Sequence, residues 1–152
     1  MNLTESHISE LRVPVRRARV EVHTELERRS AVIFLAPECS PEDLLESDAP
    51  FFPAEEAGAV RLFARSSVVS VVVDAAEAPA HPLEAAGVTY QRRSVAVHLR
   101  TGKTVAGVLM TLSRVTRTLD LVNHPTKSLA IHAPGRIHYV AKAFIERIEE
   151  LR

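Results

Sequence analysis

The stretch "RRARVEVH" at residues 16–23 returns as "RRSVAVH" at residues 92–98. A doubled arginine, a short alternating run and a histidine, met twice within 152 residues, point to a chain assembled from two copies of one small unit. With an offset of 75, Arg17, Val20, Val22, His23 and Ala31 fall on Arg92, Val95, Val97, His98 and Ala106. After a two-residue change in loop length the offset becomes 77. Asp43, Leu44, Gly58 and Ala64 then fall on Asp120, Leu121, Gly135 and Ala141. Val60, Leu62, Arg65, Val68 and Val71 meet Ile137, Tyr139, Lys142, Ile145 and Ile148.

The repeated unit reads as mostly β. Val20 and Val22 alternate with Arg19, Glu21 and His23, the period of a strand with one buried face. "SAVIFLA" (30–36), "AVRLFA" (59–64) and "SVVSVVV" (67–73) are β-branched or alternating and lack a helical period. Ser40-Pro41-Glu42-Asp43 fits a helix start, with Ser40 as cap and Pro41 in the first turn, so "EDLLES" predicts a short helical insert. Phe51 and Phe52 are expected to cover the open end of the core. In the second half, "VAVHLRTGKTVAGVLMTL" (95–112) predicts two strands turning at Thr101-Gly102, and "SLAIHAPGRIHYVA" predicts a hairpin about Pro134-Gly135. "KAFIERIEELR" has helical spacing by itself, but its counterpart "SSVVSVVV" is too β-branched for a helix, so 144–148 is predicted as a strand.

The expected organisation is an N-terminal helix within 1–14, a first β repeat over 15–73, an Ala/Pro-rich linker over 74–89 and a second β repeat over 90–152. Lys+Arg and Asp+Glu both count 19, a balance that argues against a general polyanion binder. The first 75 residues carry a net charge of −5 and the remainder +5, so unlike halves can attract within or between molecules. Cys39 is the only cysteine, which rules out an internal disulfide. The N-terminal stretch lacks an apolar signal-like core and no run reaches the length of a membrane span, so a cytoplasmic location and no membrane partner are expected.

The second repeat resembles the Sm-like β-barrel superfamily (LSm and Hfq proteins). "VAVHLRTGKTVAGVLM" is similar to that family's first motif, with Gly102, Lys103, Gly107 and Leu109 in corresponding places. "IHYVAKAFIERI" is similar to its second motif through Ile145 and Ile148. The likeness covers most of 94–149 and reaches 19–73 only through the internal repeat. The chain is also similar to a bacterial family of small β domains with a "D-L-x-N" insert. The resemblance implies two pseudo-repeated five-stranded small barrels or sheets with short helical inserts. It also implies that Asp120 and Asn123 stand where the family's RNA-contacting Asp and Asn belong. The family's Arg-Gly or Lys-His pair is replaced by Ala141-Lys142-Ala143.

No catalytic pattern is present: G-x-S-x-G, Walker-type and dinucleotide glycine motifs are missing, and five glycines leave little for a phosphate-cradling loop. No HxH, HExxH or cysteine pair supports a metal, and no cofactor is expected. A two-residue turn pairs Ala133 with Arg136, His132 with Ile137 and Ile131 with His138, so His132 and His138 point to opposite faces. His23 and His98, opposite the valine face, are expected at the surface. The doublets Arg16-Arg17 and Arg92-Arg93 resemble those of PilZ domains, whose later D-x-S-x-x-G neither half has.

These observations favour a non-enzymatic scaffold or adaptor that binds itself or a protein partner, as a homo-oligomer. The alternative is RNA or DNA binding by a basic face of the second repeat. The candidate contact residues for partner or nucleic acid are Arg92, Arg93, Lys103, Arg114, Arg117, Asp120, Asn123, Lys127 and Lys142.

Overall fold

A computed structural model describes residues 15–76, 91–111 and 117–152. The expected N-terminal helix, most of the linker, and Arg114 lie outside the described residues. In the first half the chain forms β1 (Arg16–Thr24), β2 (Arg28–Leu35), α1 (Asp43–Glu46), β3 (Phe51–Glu56), β4 (Ala59–Ala64) and β5 (Val68–Asp74). In the second half it forms β6 (Gln91–Leu99), β7 (Thr104–Thr111), α2 (Thr118–Val122), β8 (Ser128–Ala133), β9 (Arg136–Ala141) and β10 (Ile145–Glu150). All ten strands belong to one antiparallel sheet in the order β10-β6-β7-β8-β9-β5-β1-β2-β3-β4. Each half therefore runs 5-1-2-3-4 in its own strand order, and β9 joins β5 between them.

The pairing registers of the halves correspond. His23 faces Ser70 and Val22 faces Val71; 75 and 77 residues later, His98 faces Arg147 and Val97 faces Ile148. Both ladders slip at the same place, next to Thr24 and Leu99. The first hairpins differ. Val20 faces Ala31, whereas Val95 faces Gly107, so the counterpart of Ala31 is Gly107 and not Ala106. One of the two extra residues sits in the β6–β7 turn, where Gly102 takes φ +90°. The Pro134-Gly135 hairpin has the register expected from its turn, with Gly135 at φ +72°.

Two segments differ from the sequence-based expectation. Phe51 and Phe52, expected together over the open end of the core, instead open β3, with Phe52 2% exposed in the core and Phe51 facing out. Pro53 disguised that strand: it has no N–H to give a ladder, and β3 meets β2 at only two pairs, Val32–Glu55 and Ile33–Ala54. Ser40 does not cap α1; instead its N–H donates to the Asp43 carboxylate at 2.7 Å.

Two apolar clusters form, and each borrows from the other half. The first gathers Val20, Val22, Ile33, Leu44, Leu45 and Phe52 from the first half with Tyr139 from β9. The second gathers Val95, Val97, Leu99, Leu109 and Ile131 with Val69 from β5. The exchange explains a sequence contrast. β5 is buried at six successive positions, Val68 to Val73, because it lies mid-sheet with both faces covered. Its counterpart β10 reads "IERIEE" because it is an edge, where charge blunts uncontrolled pairing.

Gly107 is required by packing. A Cβ there would lie 2.6 Å from the His132 carbonyl oxygen and 2.7 Å from Ile131 Cγ2. We expect Gly107→Ala to force β7 and β8 apart at a cost of about 1–3 kcal/mol. The melting temperature followed by circular dichroism should then fall by roughly 3–10 °C. An unchanged melting point would mean that β8 does not pack so closely on β7.

Candidate interaction edges and the joint between halves

The candidate contact residues do not form one basic face. Arg92 and Arg93 lie on β6, opposite Met110 and Leu109. Lys103 lies in the β6–β7 turn, exposed. Arg117 and Asp120 close on each other at the start of α2: the Arg117 N–H donates to Asp120 at 3.0 Å and its guanidinium donates at 3.1 and 3.2 Å. That hydrogen bonding holds the Asp120 carboxyl below its ordinary value. Asn123 ends α2, its N–H donating to the Leu119 carbonyl at 3.0 Å.

Lys127 and Lys142 line a groove of about 550 Å3 at the joint, with Arg65 and Phe144. Both lysines are already engaged. The Lys127 ammonium pairs with Asp48, and Lys142 Nζ donates to the His124 carbonyl at 2.6 Å and Thr126 Oγ1 at 3.0 Å. Burial pulls the Lys142 ammonium below its ordinary value, against the opposing pull of Glu46. Arg65, which sequence reading did not single out, donates to the Leu44 and Phe51 carbonyls at 2.7 and 2.8 Å. These basic groups hold turns in place.

Glu46 is the clasp of the joint. From α1 it accepts the Lys127 N–H at 2.8 Å, the Ser128 N–H at 2.9 Å and the Ser128 hydroxyl at 2.6 Å. Burial alone would raise its carboxyl, but these bonds from Lys127 and Ser128 outweigh it and hold the group below its ordinary value. No local pattern announced it, since donors and acceptor are about 80 residues apart. Glu46→Ala strips the buried Ser128 of its acceptor, so we expect a loss of about 1–3 kcal/mol at neutral pH. Because the folded carboxyl is depressed, its stabilisation is present above the unfolded value and disappears as pH falls through the folded one. The urea midpoints of the variant and the parent should therefore converge on acidification. A midpoint unchanged at neutral pH would remove Glu46 from the joint.

The joint itself is β5 against β9, with Val71 opposite Tyr139, Val72 opposite His138 and Asp74 opposite Arg136. Arg136 also reaches Glu21 of β1 at 3.0 Å. Ala130, Ile137 and Tyr139 form the apolar face that the second half presses into the first cluster. Their counterparts 77 residues earlier, Pro53, Val60 and Leu62, are exposed at the far end of the sheet, Val60 at 65% and Leu62 at 70%. The receiving side repeats as well. Leu44 and Leu45 are each 6% exposed under the joint, whereas their counterparts Leu121 and Val122 are only partly covered. Among the described residues, β4 and β10 are the two sheet edges without a neighbour.

His23 and His98 are not fully at the surface: their side chains are 19% and 23% exposed. His132 and His138 occupy the register positions that place them on opposite faces. No helix among the described residues is long and apolar enough to cross a membrane. No family model, curated protein or solved structure matches the chain.

Proposed function

We propose that the chain is a non-enzymatic scaffold or adaptor, built from two fused small β-barrel repeats of Sm-like type, that binds further copies of itself end to end. One observation carries the reading: both sides of the internal β5–β9 joint recur, unpartnered, at the ends of the sheet as β10 and β4. The joint is heterologous, so repeating it closes a ring or extends a chain. Carrying the internal register over by 77 residues puts Ile148 opposite Leu62 and Glu149 opposite Arg61. One apolar residue thus meets another, and unlike charges meet directly. The internal joint buries valines and a tyrosine, while the copy-to-copy joint adds ionic contacts screened by salt.

The engagement of Arg117 and Lys127 with carboxylates supports this reading over nucleic-acid binding by the second half. Light-scattering mass on protein purified without nuclease is the test. We expect several chains per particle at low salt, fewer at high salt, and an absorbance ratio at 260 and 280 nm typical of protein. A single chain at both salts would overturn self-association. A high ratio that falls with salt would favour nucleic acid.

A further inference from the structure

Both halves line an open cavity of about 220 Å3 that the end-to-end edges do not use. His23 and Ser70 are cross-strand partners, and Val72, on the same face of β5 as Ser70, is opposite His138. The three polar residues therefore project from one face of β1, β5 and β9. Thr24, Arg28 at the start of β2, Thr101 and Lys103 from the β6–β7 turn, and Thr104 add to the polar lining. Among the described residues, no Asp or Glu lines the cavity and neither Arg28 nor Lys103 forms an ion pair. Ser70 is 2% exposed, and His138 Nδ1 is buried without a hydrogen-bond partner. Glu21, which contacts the lining residue His23 at 3.2 Å, is also held by Arg136 at 3.0 Å.

Two unpaired cations, four hydroxyl side chains and two imidazoles around one small space match a compact dianion with several acceptor oxygens. We propose that this cavity binds a small phosphate-bearing anion, Arg28 and Lys103 supplying charge and Ser70, Thr101 and His138 directional hydrogen bonds. The walls come from both halves, so the site exists only because the halves are joined. Burial holds the His23 and His138 imidazoles below the ordinary histidine value, with Arg28 adding to the effect on each. Lys103 adds to it at His23, Arg136 at His138, and Glu21 opposes it at both. A bound dianion pulls the other way and raises both.

The test is calorimetric titration of the full chain with inorganic phosphate and with ribose 5-phosphate, at fixed ionic strength, beside a chloride control. We expect saturable binding of at least one phosphate probe, weakened about tenfold or more in Lys103→Gln and in Arg28→Gln, each of which loses a charged contact. Proton NMR should show the His23 and His138 titration midpoints moving up with phosphate in the parent and staying in place in Lys103→Gln. Lys103 is exposed in a turn, so that variant keeps its fold. Absence of saturable heat with both probes overturns the proposal, as does equal affinity in parent and variants. A single-stranded oligonucleotide that shifts the two histidines where phosphate does not would also overturn it, in favour of a nucleic-acid groove.

Discussion

Arg61→Glu is expected to convert the assembled protein to single chains under the low-salt conditions in which the parent associates. Arg61 lies on the exposed edge β4, its side chain 57% exposed and 3.3 Å from Glu56 of its own chain. Under the transposed register it meets Glu149 of a second copy's β10. Replacing an unlike pair by a like pair directly across a ladder costs about 1–2 kcal/mol per joint, roughly a tenfold loss in association constant. An end-to-end assembly multiplies that loss over every joint. Glu149→Arg should do the same, and the double exchange Arg61→Glu with Glu149→Arg should restore the parent's mass. Arg19→Glu makes the same change in net charge on β1, away from either edge, and should leave the mass alone. Failure of the double exchange to restore assembly would discard the register, even if the protein self-associates by another face.

Tyr139→Ala should produce the largest loss of stability. Tyr139 belongs to β9 of the second half, yet it is 6% exposed inside the first half's cluster. Burial, with Glu42 and Asp43 adding to it, pushes its phenol up to about 12. Truncating a buried aromatic leaves a cavity and costs about 3–5 kcal/mol. That is a large share of the ~5–15 kcal/mol by which most domains are stable. A drop of roughly 6–20 °C in melting temperature should accompany it. Leu62→Ala, at the counterpart position on an exposed edge, should change stability by less than about 0.5 kcal/mol. It should nevertheless weaken assembly, because Leu62 carries the apolar face that meets the next copy. Equal melting points for parent and Tyr139→Ala would mean that the halves do not share a core.

Much of the ladder was legible without coordinates. The Pro134-Gly135 turn admits one register, and β8 and β9 follow it to the residue. The strand at 145–150 was legible only by comparison, since "FIERIEEL" has helical spacing and its counterpart "VVSVVV" does not. The five-stranded repeat calls for β3, but its residues carry no strand signature of their own because Pro53 interrupts it. The candidate contact residues rest on charge, on the repeated arginine doublet and, for Asp120 and Asn123, on the Sm-like resemblance. They scattered because Arg117, Lys127 and Lys142 find partners that charge counting does not reveal. Strand alternation places His23 and His98 at the surface. That rule knows one buried face, and at β1 the outward face is half-covered by the joint.

Side-chain alternation, β-branching and turn residues act over a few positions, so they settle the β class, the hairpins and the pairing within each. Which of two corresponding strands lies mid-sheet and which remains an edge depends on contacts between residues about 70 apart, such as Val71 with Tyr139. The clasp at Glu46, the shared cores and the joint cavity all arise from that one non-local pairing of β5 with β9. It is selected by the burial of both faces at once, a condition that no short stretch of chain can express.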